Sequence, residues 1–120
     1  MSDTIALLDG VKQRIIAARL LLSENNAHLV FGKGNLHASI LFLGEAPGEK
    51  EAQQGIPFVG AAGKELDTLL HSIGLTLDDV YIANILKYRP PGNRNPTLDE
   101  IRTHTPFLVE QITIIQPKII

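Results

Sequence analysis

Gly44-Glu45-Ala46-Pro47-Gly48 directly follows the apolar run Ser39-Ile40-Leu41-Phe42-Leu43. A carboxylate and glycine-flanked backbone therefore stand at a strand end. Glycine lets the main chain approach a ligand closely, and consecutive free amides can hold an anion or a carbonyl oxygen. A plain tight turn accounts for these five residues as well as a ligand cradle does, because Gly and Pro are common in turns. Two phosphate cradles are excluded. Gly63-Lys64 lacks the first glycine of a P-loop, where Phe58 stands, and Glu65 occupies the Ser/Thr position. Glu45 and Pro47 break the dinucleotide pattern Gly-x-Gly-x-x-Gly.

Other residues with chemical capacity follow. Phe58 can stack on a planar ligand or fold back onto the core. Asn84 can pair with a base edge or bond nearby backbone. Lys87, Arg89 and Arg94 form a small basic loop stiffened by Pro90 and Pro91, suited to phosphates and equally to solvent. Glu49, Lys50 and Glu51 read as surface charges. His28, His37, His71 and His104 have no metal-ligand spacing and read as structural or exposed.

The elements that must position these residues follow from periodicity. Leu8, Val11, Ile15, Ala18 and Leu22 recur at helical spacing, and a turn is expected over Ser23-Glu24-Asn25-Asn26. Gly32-Lys33-Gly34-Asn35 reads as a turn. Ser39 to Leu43 and Val80 to Leu86 are continuous apolar runs that suit strands buried on both faces of a parallel sheet. Gly44 to Gly60 reads as a loop. Leu66, Leu69, Leu70 and Ile73 form a second helical stripe that Gly74 is placed to end. Thr97-x-x-Glu100 has capping-box spacing for a third helix reaching Ile115, which Pro106 is expected to kink or interrupt. After Pro117, Lys118-Ile119-Ile120 reads as the opening of another strand, so the expectation is one incomplete domain over residues 1–120 with its C-terminal strand and helix missing. The strand–helix alternation predicts an α/β, three-layer α/β/α fold with a central parallel sheet. Ligands bind such sheets beyond the carboxyl ends of the strands, where both the Gly44 and the Lys87 loops emerge.

Taken together, Gly44-Glu-Ala-Pro-Gly48, Gly55-Ile-Pro-Phe-Val-Gly60 and Asn84-Ile-Leu-Lys-Tyr-Arg-Pro-Pro-Gly-Asn-Arg94 resemble the uracil-DNA glycosylase superfamily. The resemblance runs from about Leu29 to the end and is nearest to the thermophile-type family 4. It implies a DNA repair glycosylase that flips uracil, or a related deaminated base, out of DNA and hydrolyses its N-glycosidic bond. The alternative is a non-catalytic member that binds nucleic acid or a nucleotide. Catalytic roles fall to Glu45 and Asn84, and substrate binding to Gly44, Ala46, Pro47, Gly48, Phe58 and Asn84. In family 1 an aspartate that activates water stands at the position of Ala46, a role alanine cannot fill. Whether Glu45 positions water or contacts the base is open. Phe58 would stack on the base, adding about 1–3 kcal/mol. Asn84 would accept from uracil N3–H and donate to O4, the reverse of what cytosine offers. Lys87, Arg89 and Arg94 would hold DNA phosphates.

The resemblance also marks two departures. Family 4 carries a [4Fe-4S] cluster on four cysteines, and their positions fall at Ala17, Leu20, Tyr88 and His104. No cofactor is therefore expected. The family's histidine motif, which stabilises the departing uracil, lies beyond the last residue here, so these 120 residues are expected to be inactive alone.

Composition bounds the remainder. Apolar residues make up 44% of the chain, which excludes a disordered tail. Without cysteine there is no disulfide, thiol nucleophile or Cys-ligated zinc. A net charge of −2 gives no general pull on polyanions, so contact with uracil-containing DNA must rest on a local basic patch. The start carries Asp3 and Asp9 but no basic segment, and no apolar run is long enough for a membrane. The expectation is a cytoplasmic protein, monomeric at full length. An unpaired edge at Ile119-Ile120 would favour self-association of the fragment.

Overall fold

The two apolar runs pair as expected. In the computed structural model, which describes residues 2–23 and 28–120, strand β2 (Leu41–Gly44) lies parallel to β3 (Tyr81–Asn84), with Leu41 opposite Tyr81 and Gly44 opposite Asn84. Lys33–Gly34, expected only as a turn, forms a two-residue strand β1 antiparallel to β3, giving the order β1-β3-β2. The sheet is thus parallel at its centre and antiparallel at one edge. On the outer side of β2, Ile119 bridges Ile40 in the parallel sense, and the Leu41 amide donates to the Ile119 carbonyl at 2.9 Å.

Side chains alternate across the sheet, as the two-residue period of a strand requires. Tyr81 and Ala83 pack with Leu8, Leu41, Leu108 and Ile115, whereas Ile82 packs with Leu70 and Val80. Helices α1 (Ser2–Ala18) and α4 (Leu98–Ile115) therefore cover one face, and α3 (Ala61–Ser72) covers the other. This is the α/β/α layering that the strand–helix alternation implied.

The helices depart from expectation in instructive ways. Leu8, Val11 and Ile15 are buried, but α1 ends at Ala18, which is exposed, and Leu22 reaches the core from a turn with φ of +79°. Residues 24–26 of the expected turn lie outside the described residues. On α3 only Leu70 is fully buried and Leu66 is partly so. Leu69 and Ile73 are 65% and 70% exposed, because only Leu66 and Leu70 of that stripe reach the cluster around Val80 and Ile82. Gly74 does end that segment, with φ of +81°. In α4 the Thr97 hydroxyl accepts the Glu100 amide and the Glu100 carboxylate accepts the Thr97 amide, completing the capping box. Pro106 does not interrupt α4. The lost donor is outweighed by one buried stripe, His104, Leu108, Gln111 and Ile115, that holds the helix to the sheet. A short helix α2 (Glu49–Gln54) stands inside the segment expected to be a loop.

Candidate active site

Register builds the site. Because β2 and β3 finish level, Gly44 and Asn84 are neighbours at the carboxyl edge of the sheet. The chains stay paired beyond it: the Ile85 amide donates to the Gly44 carbonyl at 2.9 Å and the Leu86 amide to that of Glu45 at 3.0 Å. Asn84 is only 3% exposed, yet among the described residues nothing hydrogen-bonds its side-chain amide. Its side-chain atoms are not sealed inside the protein: they open onto a hollow that the residue lines, where an incoming group can meet them.

Gly44 makes the opening. A Cβ there would collide with Asn84 Oδ1 and lie 3.0 Å from the Phe58 ring. The amide and the aromatic face therefore border one space, kept free by the absence of a side chain between them. Phe58 itself has φ of +55°, a left-handed conformation that costs a non-glycine residue about 1–2 kcal/mol. The resulting hollow holds about 260 Å³ and is lined by the Gly44–Gly48 turn, Phe58, Gly60 and Asn84, with Pro90, Asn93 and Arg94 at its rim. That lies near the lower end, about 300 Å³, of small-molecule sites. It suits one ring rather than a dinucleotide.

Residues 31–120 match the family model described as the Uracil DNA glycosylase superfamily. The chain belongs to that superfamily. It is similar to the Type-4 uracil-DNA glycosylase of Saccharolobus solfataricus, 53% identical over 98% of this chain and 54% of that protein. It is also similar to the Type-4 enzyme of Archaeoglobus fulgidus, 47% identical over 94% of this chain and 57% of that protein. A DNA polymerase of Bacillus phage SP01 is 37% identical over 82% of this chain but only 11% of its own length. The chain spans about half the length of its Type-4 relatives.

Within this superfamily member the structure gathers Gly44, Glu45, Ala46, Pro47, Gly48, Phe58 and Asn84 around one hollow. Glu45 is exposed at its mouth and Pro47 is buried beneath. Arg94 sits at the rim, its guanidinium pairing with the Glu100 carboxylate at 2.8 and 2.6 Å and with the Asn95 carbonyl at 3.1 Å. Among the described residues these bonds leave the Nε–H and one Nη2 hydrogen uncommitted. The pairing holds the Glu100 carboxyl down at about 2. Arg89 lies one step back, its Nε–H donating to Asn93 Oδ1 at 2.8 Å.

Lys87 corrects the expectation of a third phosphate contact. It is fully buried, and its ammonium donates to the Asn84 carbonyl at 2.9 Å and the Phe31 carbonyl at 3.3 Å. No phosphate can reach it. Burial lowers its pKa to about 7.

The four positions where the family holds its cluster do not fit one here. Ala17 is exposed, and Leu20 packs against the cluster of Val11, Ile15, Leu22, Leu86 and Tyr88. Tyr88 and His104 meet edge to face with ring centroids 6.0 Å apart. Both ring nitrogens of His104 are taken: Nδ1 accepts the Lys87 amide and Nε2 meets the Leu21 carbonyl, each at 2.8 Å. The proton is therefore on Nε2, and burial lowers the pKa of this neutral imidazole. Among the described residues no group of three or more His, Cys, Asp and Glu could hold a metal ion, and no helix is long and apolar enough to cross a membrane.

Glu51 is the site residue that sequence reasoning missed. Directly after Glu49 and Lys50 it resembles a surface charge, yet it lines the hollow. Its position three residues after Gly48, as the third residue of a helix, was the available signal.

Proposed function

We propose that the hollow receives a uracil extruded from DNA and that the protein hydrolyses the bond between that base and its sugar. The observation that carries this reading is the buried Asn84 amide, unpartnered among the described residues and bordering the same space as the Phe58 ring. An amide that accepts at Oδ1 and donates at Nδ2 matches uracil N3–H and O4 and mismatches cytosine at both atoms. Extrusion costs a few kcal/mol, least for mispaired bases, and stacking on Phe58 offsets part of it. The exposed Glu45 carboxylate at the mouth is the group available to orient water. The uncommitted donors of Arg94, with Arg89 behind it, would grip flanking phosphates and fix register without reading sequence.

We further infer that this member works without an iron–sulfur cluster, since it has no cysteine and the Leu20, Tyr88 and His104 positions are occupied by side chains packed or bonded within the protein. Stoichiometric iron with brown absorption in the purified protein would overturn that inference. The test of function is abasic-site formation on uracil-containing single- and double-stranded DNA by the full-length protein. The expected result is base release by the wild type and a loss of at least a hundredfold in Asn84→Ala. Release unaffected by that substitution overturns the role of Asn84. Binding of uracil-containing DNA without any abasic product identifies a non-catalytic member instead.

A further inference from the structure

Glu51 joins two segments that both line the hollow. Its Oε1 accepts the Gly48 amide at 2.9 Å, at the close of the floor turn. Its Oε2 accepts the Val59 amide at 3.0 Å and the Gly60 amide at 2.8 Å. Val59 and Gly60 immediately follow Phe58, whose left-handed backbone has to be held from outside because the residue does not favour it. The approach is close: a Cβ on Gly48 would stand 2.6 Å from Glu51 Oε1. One carboxylate thus has both oxygens occupied by backbone donors, from two separate segments that line the proposed base-binding space.

We propose that Glu51 is a positioning residue that sets the separation between the Gly44–Gly48 floor and the Phe58 lid. It acts through the lid and floor rather than on the reacting atoms. The inference rests on the uracil-binding reading for its consequence, but its geometric part stands separately. A carboxylate is required because both arms need an acceptor. Glu51→Gln keeps the size but has one oxygen, and that oxygen is best used by the two lid amides. The side-chain nitrogen then opposes the Gly48 amide, donor against donor. Glu51→Ala removes both arms.

The experiment combines amide hydrogen exchange by NMR with steady-state kinetics on a uracil-containing oligonucleotide, using the full-length protein as wild type, Glu51→Gln and Glu51→Ala. In the wild type the Gly48, Val59 and Gly60 amides should be protected. In Glu51→Gln only Gly48 should lose protection, and in Glu51→Ala all three should, while Ile82 and Ala83 of the central strand stay protected in both. KM should rise about tenfold in Glu51→Ala, the low end of the contribution of a stacked aromatic, with kcat falling less. A residue that merely supported folding would reduce active protein and leave KM unchanged. Fast exchange of Val59 and Gly60 in the wild type overturns the proposal, as does an unchanged KM in Glu51→Ala. Absence of base release by the wild type, with the exchange pattern intact, refutes the glycosylase reading and leaves the clamp supported.

Discussion

Replacing Lys87 by methionine exchanges a buried ammonium for an apolar chain of similar length. The ammonium has two carbonyl acceptors, Asn84 and Phe31, and no facing carboxylate within salt-bridge distance among the described residues. Its neighbours are the neutral His104 ring, reached through the Lys87 amide, and the Phe31 ring, 5.9 Å from Nζ to its centroid. Burial lowers the pKa from 10.5 to about 7. The unfolded chain therefore binds the extra proton throughout the interval between those values, and stability must rise with pH across it. The linkage relation gives a cost of about 5 kcal/mol well below pH 7, and a gain of about 3 kcal/mol between pH 7 and 9.5. Tyr81, pushed up to about 12, and Tyr88, raised by burial, act the other way once unfolded tyrosines ionise near 10, so measurement stops at 9.5. Urea unfolding at pH 7, 8, 9 and 9.5 is the assay. Wild type should gain the stated amount, and Lys87→Met should stay flat. At pH 7 the variant loses about 1–3 kcal/mol for the carbonyl it leaves without its donor, against relief of a larger charge burden. Parallel curves for the two proteins would refute the assignment of the slope to Lys87.

Gly44→Ala should place a methyl group against Asn84 Oδ1 and the Phe58 ring; base release by the full-length protein should fall about a hundredfold, while melting shows the sheet still folded. Glu100, held at about 2 chiefly by the Arg94 hydrogen bonds, gives stability that is present above its ordinary value of 4.5 and is lost as pH falls through about 2. Glu100→Gln should remove that acid dependence, which thermal melts at pH 6 and pH 3 would register.

Much of the site was legible because it depends on neighbours in sequence and on strand register. Two apolar runs, each ended by a residue suited to a ligand, brought Gly44 and Asn84 together once the strands paired in parallel. Thr97 and Glu100 announced the start of α4, and Gly74 announced the end of α3. What escaped depends on contacts made by distant segments. Lys87 looks like part of a basic loop, and only its position just past β3, beneath Phe31 and α4, turns its ammonium inward. Leu69 and Ile73 follow a helical stripe, but which residues of a stripe are covered depends on how the helix is turned towards the cluster beneath it, here met by Leu66 and Leu70. Glu51 was hidden by charged neighbours on a six-residue helix. Its value comes from amides eight and nine residues later.

The opposition of Gly44 to Asn84 makes the hollow unequally tolerant of changes in chain length. Between the two strands, extra residues at the exposed turn after α3 would lengthen a surface excursion at a modest entropic cost and leave the pairing alone. Deleting or adding a single residue within Leu41–Gly44 would instead invert which side chains point to which layer and set another residue opposite the asparagine. Lineages can therefore vary the excursion freely, whereas the four-residue strand that ends at the hollow is closed to insertion and deletion.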